Sequence, residues 1–114
     1  MRLKSAIFVS ALIRRAQVEG ANAMLLRRGA EEAGAIFVKV IAADGSAALY
    51  GPAPQSAFEE AYPVDRRFSV VVPPGRPEAE AAARIAKEVR FDPDLFLVEI
   101  TDREGRHFLD LEPA

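Results

Sequence analysis

Apolar residues recur at helical spacing from Phe8 through Val9, Leu12, Ile13 and Ala16 as far as Gly20. This pattern predicts a first helix with Leu3 as a hydrophobic staple and Ser5 as its N-cap. Residues 23–28 and 35–41 then read as strands, joined by an acidic connection that Gly29 and Gly34 bound. Asp44-Gly45 favours the positive φ angles of a tight turn, so residues 46–50 return as a third strand. Residues 51–65 hold three prolines, Phe58 and Tyr62 without a sustained period, and predict an irregular connection of a length often reserved for function.

Residues 66–72 predict a fourth strand, stopped by Pro73-Pro74-Gly75. Pro77 suits the first position of a second helix, and Glu78 and Glu80 favour its positive end. The buried stripe of that helix is expected at Ala79, Ala82, Ala83, Ile85, Ala86 and Val89, with its end before Pro93. Residues 94–101 carry the clearest strand pattern, and the turn at residues 102–105 predicts a return strand over 106–111. The expected fold is therefore α+β, with two helices on a largely antiparallel sheet of five or six strands in the order α-β-β-β-β-α-β-β. Residues 1–114 would form a single domain without linker or tail.

Alternation along the strands adds a further expectation. Ile36, Val38 and Val40 oppose Phe37, Lys39 and Ile41, while Phe96, Val98 and Ile100 oppose Leu95, Leu97 and Glu99. Both faces are partly apolar, so each needs a cover, either a helix or a partner subunit, and a homodimer is one way of supplying it.

Composition narrows the chemistry. With 114 residues, half of them apolar, the chain can bury a sizeable core. It has no cysteine and one histidine, which excludes disulfide scaffolds, thiol nucleophiles and the usual zinc sites. Absence of cysteine also fits a reducing, cytoplasmic setting. The apolar run after Lys4 is short and meets Arg14 and Arg15, so it reads as a helix of the mature protein and not a secretory signal. No run approaches the roughly 18 apolar residues of a membrane span, and neither a membrane role nor a nucleotide cofactor is expected. The net charge of −2 conceals an asymmetry, +4 over residues 1–40 and −6 over the remainder. A balance this acidic argues against a dedicated nucleic-acid domain.

The segments Arg2-Leu3-Lys4-Ser5, Gly34-Ala35-Ile36-Phe37-Val38-Lys39-Val40, Leu49-Tyr50-Gly51-Pro52-Ala53-Pro54 and Arg90-Phe91-Asp92-Pro93-Asp94-Leu95-Phe96 resemble those of a bacterial family. The likeness continues from Val98 to Asp110. It is to domain-of-unknown-function family 1491, and it implies a small single-domain cytosolic protein while bringing no catalytic residue, ligand or cofactor with it.

Four constellations carry candidate chemistry. Asp94, Glu99 and Asp102 are the candidate metal ligands, for Mg²⁺ or Mn²⁺ in a phosphoesterase or nuclease-like enzyme. Pro93-Asp94 followed by Glu99 is similar to one nuclease motif, but Thr101 stands where that motif has lysine, and turn formation explains Asp92 and Asp94 more simply. Lys39, Glu99 and His107 are the candidate catalytic groups. Lys39 and Glu99 interrupt similar half-apolar faces, where a structural ion pair is the simpler expectation, and no serine is tied to His107 by spacing. Arg14, Arg15, Arg27, Arg28, Arg66 and Arg67 form three basic pairs suited to phosphate, or equally to surface carboxylates. The reading that follows is a non-enzymatic interaction or assembly module with an unidentified protein partner. A metal-dependent enzyme and sequence-independent nucleic-acid binding are the alternatives.

Overall fold

The computed structural model describes residues 3–54 and 66–113. Helix α1 (Ser5–Val18) precedes strands β1 (Asn22–Arg27), β2 (Ile36–Ile41), β3 (Ala47–Pro52) and β4 (Phe68–Arg76); helix α2 (Glu78–Phe91) and strand β5 (Phe96–Thr101) follow. The strands form one sheet ordered β1-β5-β2-β3-β4. The class and the order of elements agree with the sequence pattern, but the sheet is mixed. Its central pair, β2 with β5, is parallel, while β1–β5, β2–β3 and β3–β4 are antiparallel.

The central place of β5 explains the largest departure from expectation. With β1 on one side and β2 on the other, β5 has no free edge for residues 106–111 to pair with. Those residues instead cross the α1 face of the sheet as a strap. Phe108, Leu109 and Leu111 join the core there, and Leu111 makes an isolated parallel bridge to Phe68. Strand β4 also differs, since it begins at Phe68 and continues through Pro73, Pro74 and Gly75 to Arg76. It is an edge strand, and the missing amide hydrogens of proline are tolerated on an edge. The connection expected over residues 51–65 gives Gly51 and Pro52 to β3, and its part over residues 55–65 lies outside the described residues.

Each face of the sheet has its own helix. Val9, Leu12 and Ala16 of α1 pack on Ile36, Val38, Val40, Phe96, Val98 and Ile100. Burying Val9 and Leu12 contributes roughly 2 kcal/mol each. On the other face Ala81, Ile85 and Val89 meet Phe37, Leu49, Leu95 and Leu97. The buried side of α2 is thus set by Ile85 and Val89 with Ala81 a turn earlier, and Ala79, Ala82, Ala83 and Ala86 face solvent. A run of alanines leaves the phase of the stripe undetermined, and the two bulkier residues decide it. Helix α1 lies over β1 and β5, and α2 chiefly over β3 and β4.

The α1 N-terminus is held from outside the helix. Ser5 is its first residue and not its cap. Backbone N–H groups of Ser5 and Ala6 donate to the carbonyls of Glu32 and Glu31, and the fully buried Ser5 hydroxyl donates to the Gly34 carbonyl at 2.7 Å. These contacts satisfy donors that a helix start leaves unpaired. The same connection grips β5, because the Ala30 amide donates to the Asp94 carbonyl at 2.8 Å.

Candidate functional site

Lys39 is the only buried cation among the described residues, 6 % exposed in the centre of β2. The parallel register sets it beside Glu99 of β5, and its Nζ lies 3.1 Å from Glu99 Oε2. Nζ also donates to Glu78 Oε2 at 3.0 Å, a residue at the first position of α2. Burial works against the ammonium charge, but the hydrogen bonds and attraction of Glu78 and Glu99 outweigh it, and its pKa is raised. The shift keeps Lys39 protonated, opposite in direction to that of a lysine nucleophile or base. The triad of Lys39, Glu78 and Glu99 fastens the start of α2 to the sheet.

The other candidates do not gather around it. Asp94 precedes β5, where its amide N–H donates to Asp92 Oδ1 in an Asx turn. Five residues of extended chain place it about 16 Å from Glu99. Asp102 follows β5 and is nearly fully buried. Its Oδ2 accepts the backbone N–H groups of Glu104 and Arg106, and the Arg106 guanidinium grips both its oxygens at 3.0 and 2.8 Å. Arg106 also donates to the Glu19 carbonyl at the end of α1. Among the described residues, no three histidine, aspartate or glutamate side chains are grouped to hold a metal ion.

Hydrogen bonding by the Arg106 side chain, and then by its amide, holds the Asp102 carboxyl down to about 2 against an ordinary 3.8. A depressed folded-state value means that stability is fully present above pH 3.8 and is lost as pH falls toward 2. Asp102→Asn should therefore lower stability at neutral pH by roughly 2 kcal/mol and flatten the acid limb of the unfolding profile. Urea midpoints measured from neutral pH downward test both effects.

His107 lies in the strap, half-buried, with its ring 4.9 Å from that of Tyr50. Its Nδ1 accepts the Leu109 amide hydrogen at 3.0 Å, and burial lowers its pKa, so it is held neutral as a local acceptor. Phe108, between these two, has φ 62°, a left-handed conformation uncommon for a bulky residue. Arg106 stacks on its ring at 5.1 Å.

The arginine pairs split between the two margins of the sheet. Arg27 and Arg28 lie at the end of β1, and Arg66 and Arg67 just before β4, about 19 Å away across four strand spacings. Arg27 Nη2 donates to the Pro93 carbonyl at 2.6 Å. Arg66 donates to the Leu3 carbonyl and the Ser5 hydroxyl, and its guanidinium lies over the Phe8 ring. Arg14 and Arg15 are exposed on α1. Arg15 and Arg66 share an apolar pocket of about 220 Å³ with Phe8, Leu12, Phe108 and Leu109. No single arginine surface results.

The feature that sequence reasoning missed is the margin of β1. Because α2 covers the β3–β4 side of its face, Met24 and Leu26 are left 55 % and 44 % exposed. Phe91, at the end of α2, is 78 % exposed. It stands two residues before Pro93, whose carbonyl the Arg27 side chain holds, so the segment that leaves α2 is tied to the end of β1. The two sheet edges also differ. β4 carries two prolines and a glycine and is bridged by Leu111, whereas β1 has no proline and no charge before Arg27, its one irregularity being a bulge at Leu26 where the register with β5 slips. Proteins usually protect edge strands with such residues.

The molecule is thus an α+β protein with a helix on each face of a mixed five-stranded sheet. The chain belongs to the DUF1491 family of proteins of unknown function, whose sequence model matches residues 3–110. It is similar to protein Atu0922 of A. tumefaciens, known from a solution structure, with 48 % identity over 99 % of this chain and 98 % of the other, and a TM-score of 0.85. A DUF1491 family protein from Caulobacter crescentus CB15 is similar in its crystal structure, with 37 % identity over 99 % of this chain and all of the other, and a TM-score of 0.82. The NMR structure of a DUF1491 family protein from Caulobacter crescentus CB15 is also similar, with 37 % identity over 99 % of each chain and a TM-score of 0.83. No curated protein matches the sequence.

Proposed function

We propose that the protein is a non-enzymatic docking module that takes an extended segment of another polypeptide along the free edge of β1. The observation that carries this reading is the exposed apolar margin of Met24 and Leu26 on an edge strand that has no proline and, before Arg27, no charge, and whose register with β5 slips only between Leu25 and Arg27. An added strand would bond to the outward backbone groups, and Met24, Leu26 and Phe91 would bury its apolar side chains. No helix among the described residues is long and apolar enough to cross a membrane. The lack of cysteine fits work in the reducing cytoplasm.

A displayed library of random peptides tests the reading. Peptides enriched on the wild-type protein should be extended and apolar, should shift the amide resonances of residues 22–27, and should lose at least about tenfold in affinity against Leu26→Lys. Enrichment of nothing that perturbs β1 would overturn it.

A further inference from the structure

Resting on that reading, we infer that the segment received at this edge is β1 of a second copy, paired antiparallel about a two-fold axis between Met24 and Leu26 to give a continuous ten-stranded sheet. The geometry of antiparallel pairing keeps each copy's α2 face on the same side. The Met24–Leu26 surface of one protomer therefore joins that of the other.

Charge supports the second copy in particular. The C-terminal end of β1 carries Arg28, exposed and without an ion pair among the described residues. The N-terminal end is flanked by Glu19 and, beside the Asn22–Thr101 pair, by Glu104 of the following turn. Their side chains are 54 % and 74 % exposed and reach Arg106 only at 3.7 Å. Antiparallel self-pairing brings each basic end against the partner's acidic end, twice per dimer, and a parallel arrangement would set like charges together. Gln17 Nε2 meets the Ala23 carbonyl at a long 3.4 Å, a contact weak enough for a partner to displace. An interface of one strand and a few apolar side chains is small, so a reversible dimer in the micromolar range is expected.

Sedimentation from micromolar to millimolar concentration, together with cysteine cross-linking, tests this. The wild type should pass from monomer to dimer, and Leu26→Lys or Arg28→Glu should weaken association at least about tenfold. The chain lacks cysteine, so the double variant Met24→Cys, Leu26→Cys reports cleanly. Mild oxidation should give a covalent dimer, whereas Arg84→Cys, on the outer side of α2, should not. A wild-type monomer throughout the range overturns the inference, and it leaves the docking reading standing if selected peptides still shift β1. A dimer that survives Leu26→Lys unchanged and does not cross-link also overturns it, since association then uses another face.

Discussion

Replacing Gly29 by alanine is expected to destabilise the fold by about 3 kcal/mol, with little change at Gly20 beyond its backbone preference. A Cβ at Gly29 would run into the Asp94 carbonyl oxygen and come within 2.6 Å of the Leu95 carbonyl carbon. Both are backbone atoms at the entry to β5, and Leu95 is fully buried, so neither can rotate aside. Gly34 approaches the same carbonyl, its added Cβ falling 2.5 Å from the Asp94 oxygen. Residues 29–34 thus lie against the start of β5 while their carbonyls receive the N–H groups of α1. Gly20 is the control: its φ of 94° penalises alanine by roughly 1 kcal/mol, but nothing lies within 4 Å of an added Cβ. Urea unfolding of the two variants measures the difference, and equal losses would show that the close packing of this connection is unimportant.

Lys39→Ala should destabilise by roughly 2–4 kcal/mol, because it leaves Glu78 and Glu99 facing each other across an apolar surface. The figure is kept below that for a wholly buried pair because Glu78 is about half exposed. Replacing the set should be milder. Lys39→Met combined with Glu99→Gln should recover much of the loss, since the uncompensated charge in the sheet goes with the partner. The raised pKa means that the contribution of Lys39 is fully present below pH 10.5 and declines as pH rises beyond it. Denaturant midpoints at neutral pH for the single and combined variants test this, and a loss under 1 kcal/mol for Lys39→Ala would contradict it.

Much of the architecture was legible in the sequence because periodicity reports burial. The stripe Val9, Leu12 and Ala16 and the doubly apolar β2 and β5 were visible, and the latter correctly called for a cover on each face. Order across the sheet was not legible. Nothing local to β5 indicates that β1 and β2 flank it, so the turn at residues 102–105 read as a hairpin when it launches the strap. For the same reason Pro73 and Pro74 read as a stop, when on an edge they only remove donors that had no partner. Of the candidate site, Lys39 and Glu99 could be paired from their positions, but Glu78 comes from another element and looked like a residue serving the helix dipole. Exposure of Met24 and Leu26 depends on where α2 stops across the sheet, and strand alternation carries no information about that.

If β1 is an edge open for pairing, amide hydrogen exchange over residues 22–27 will report it. The outward-facing amides of this strand should exchange quickly in dilute protein and become protected as concentration rises or when a selected peptide is added. The amides of β4 near Pro73 should not respond. Exchange at β1 that is already slow in dilute solution, or that neither concentration nor any peptide alters, would contradict it.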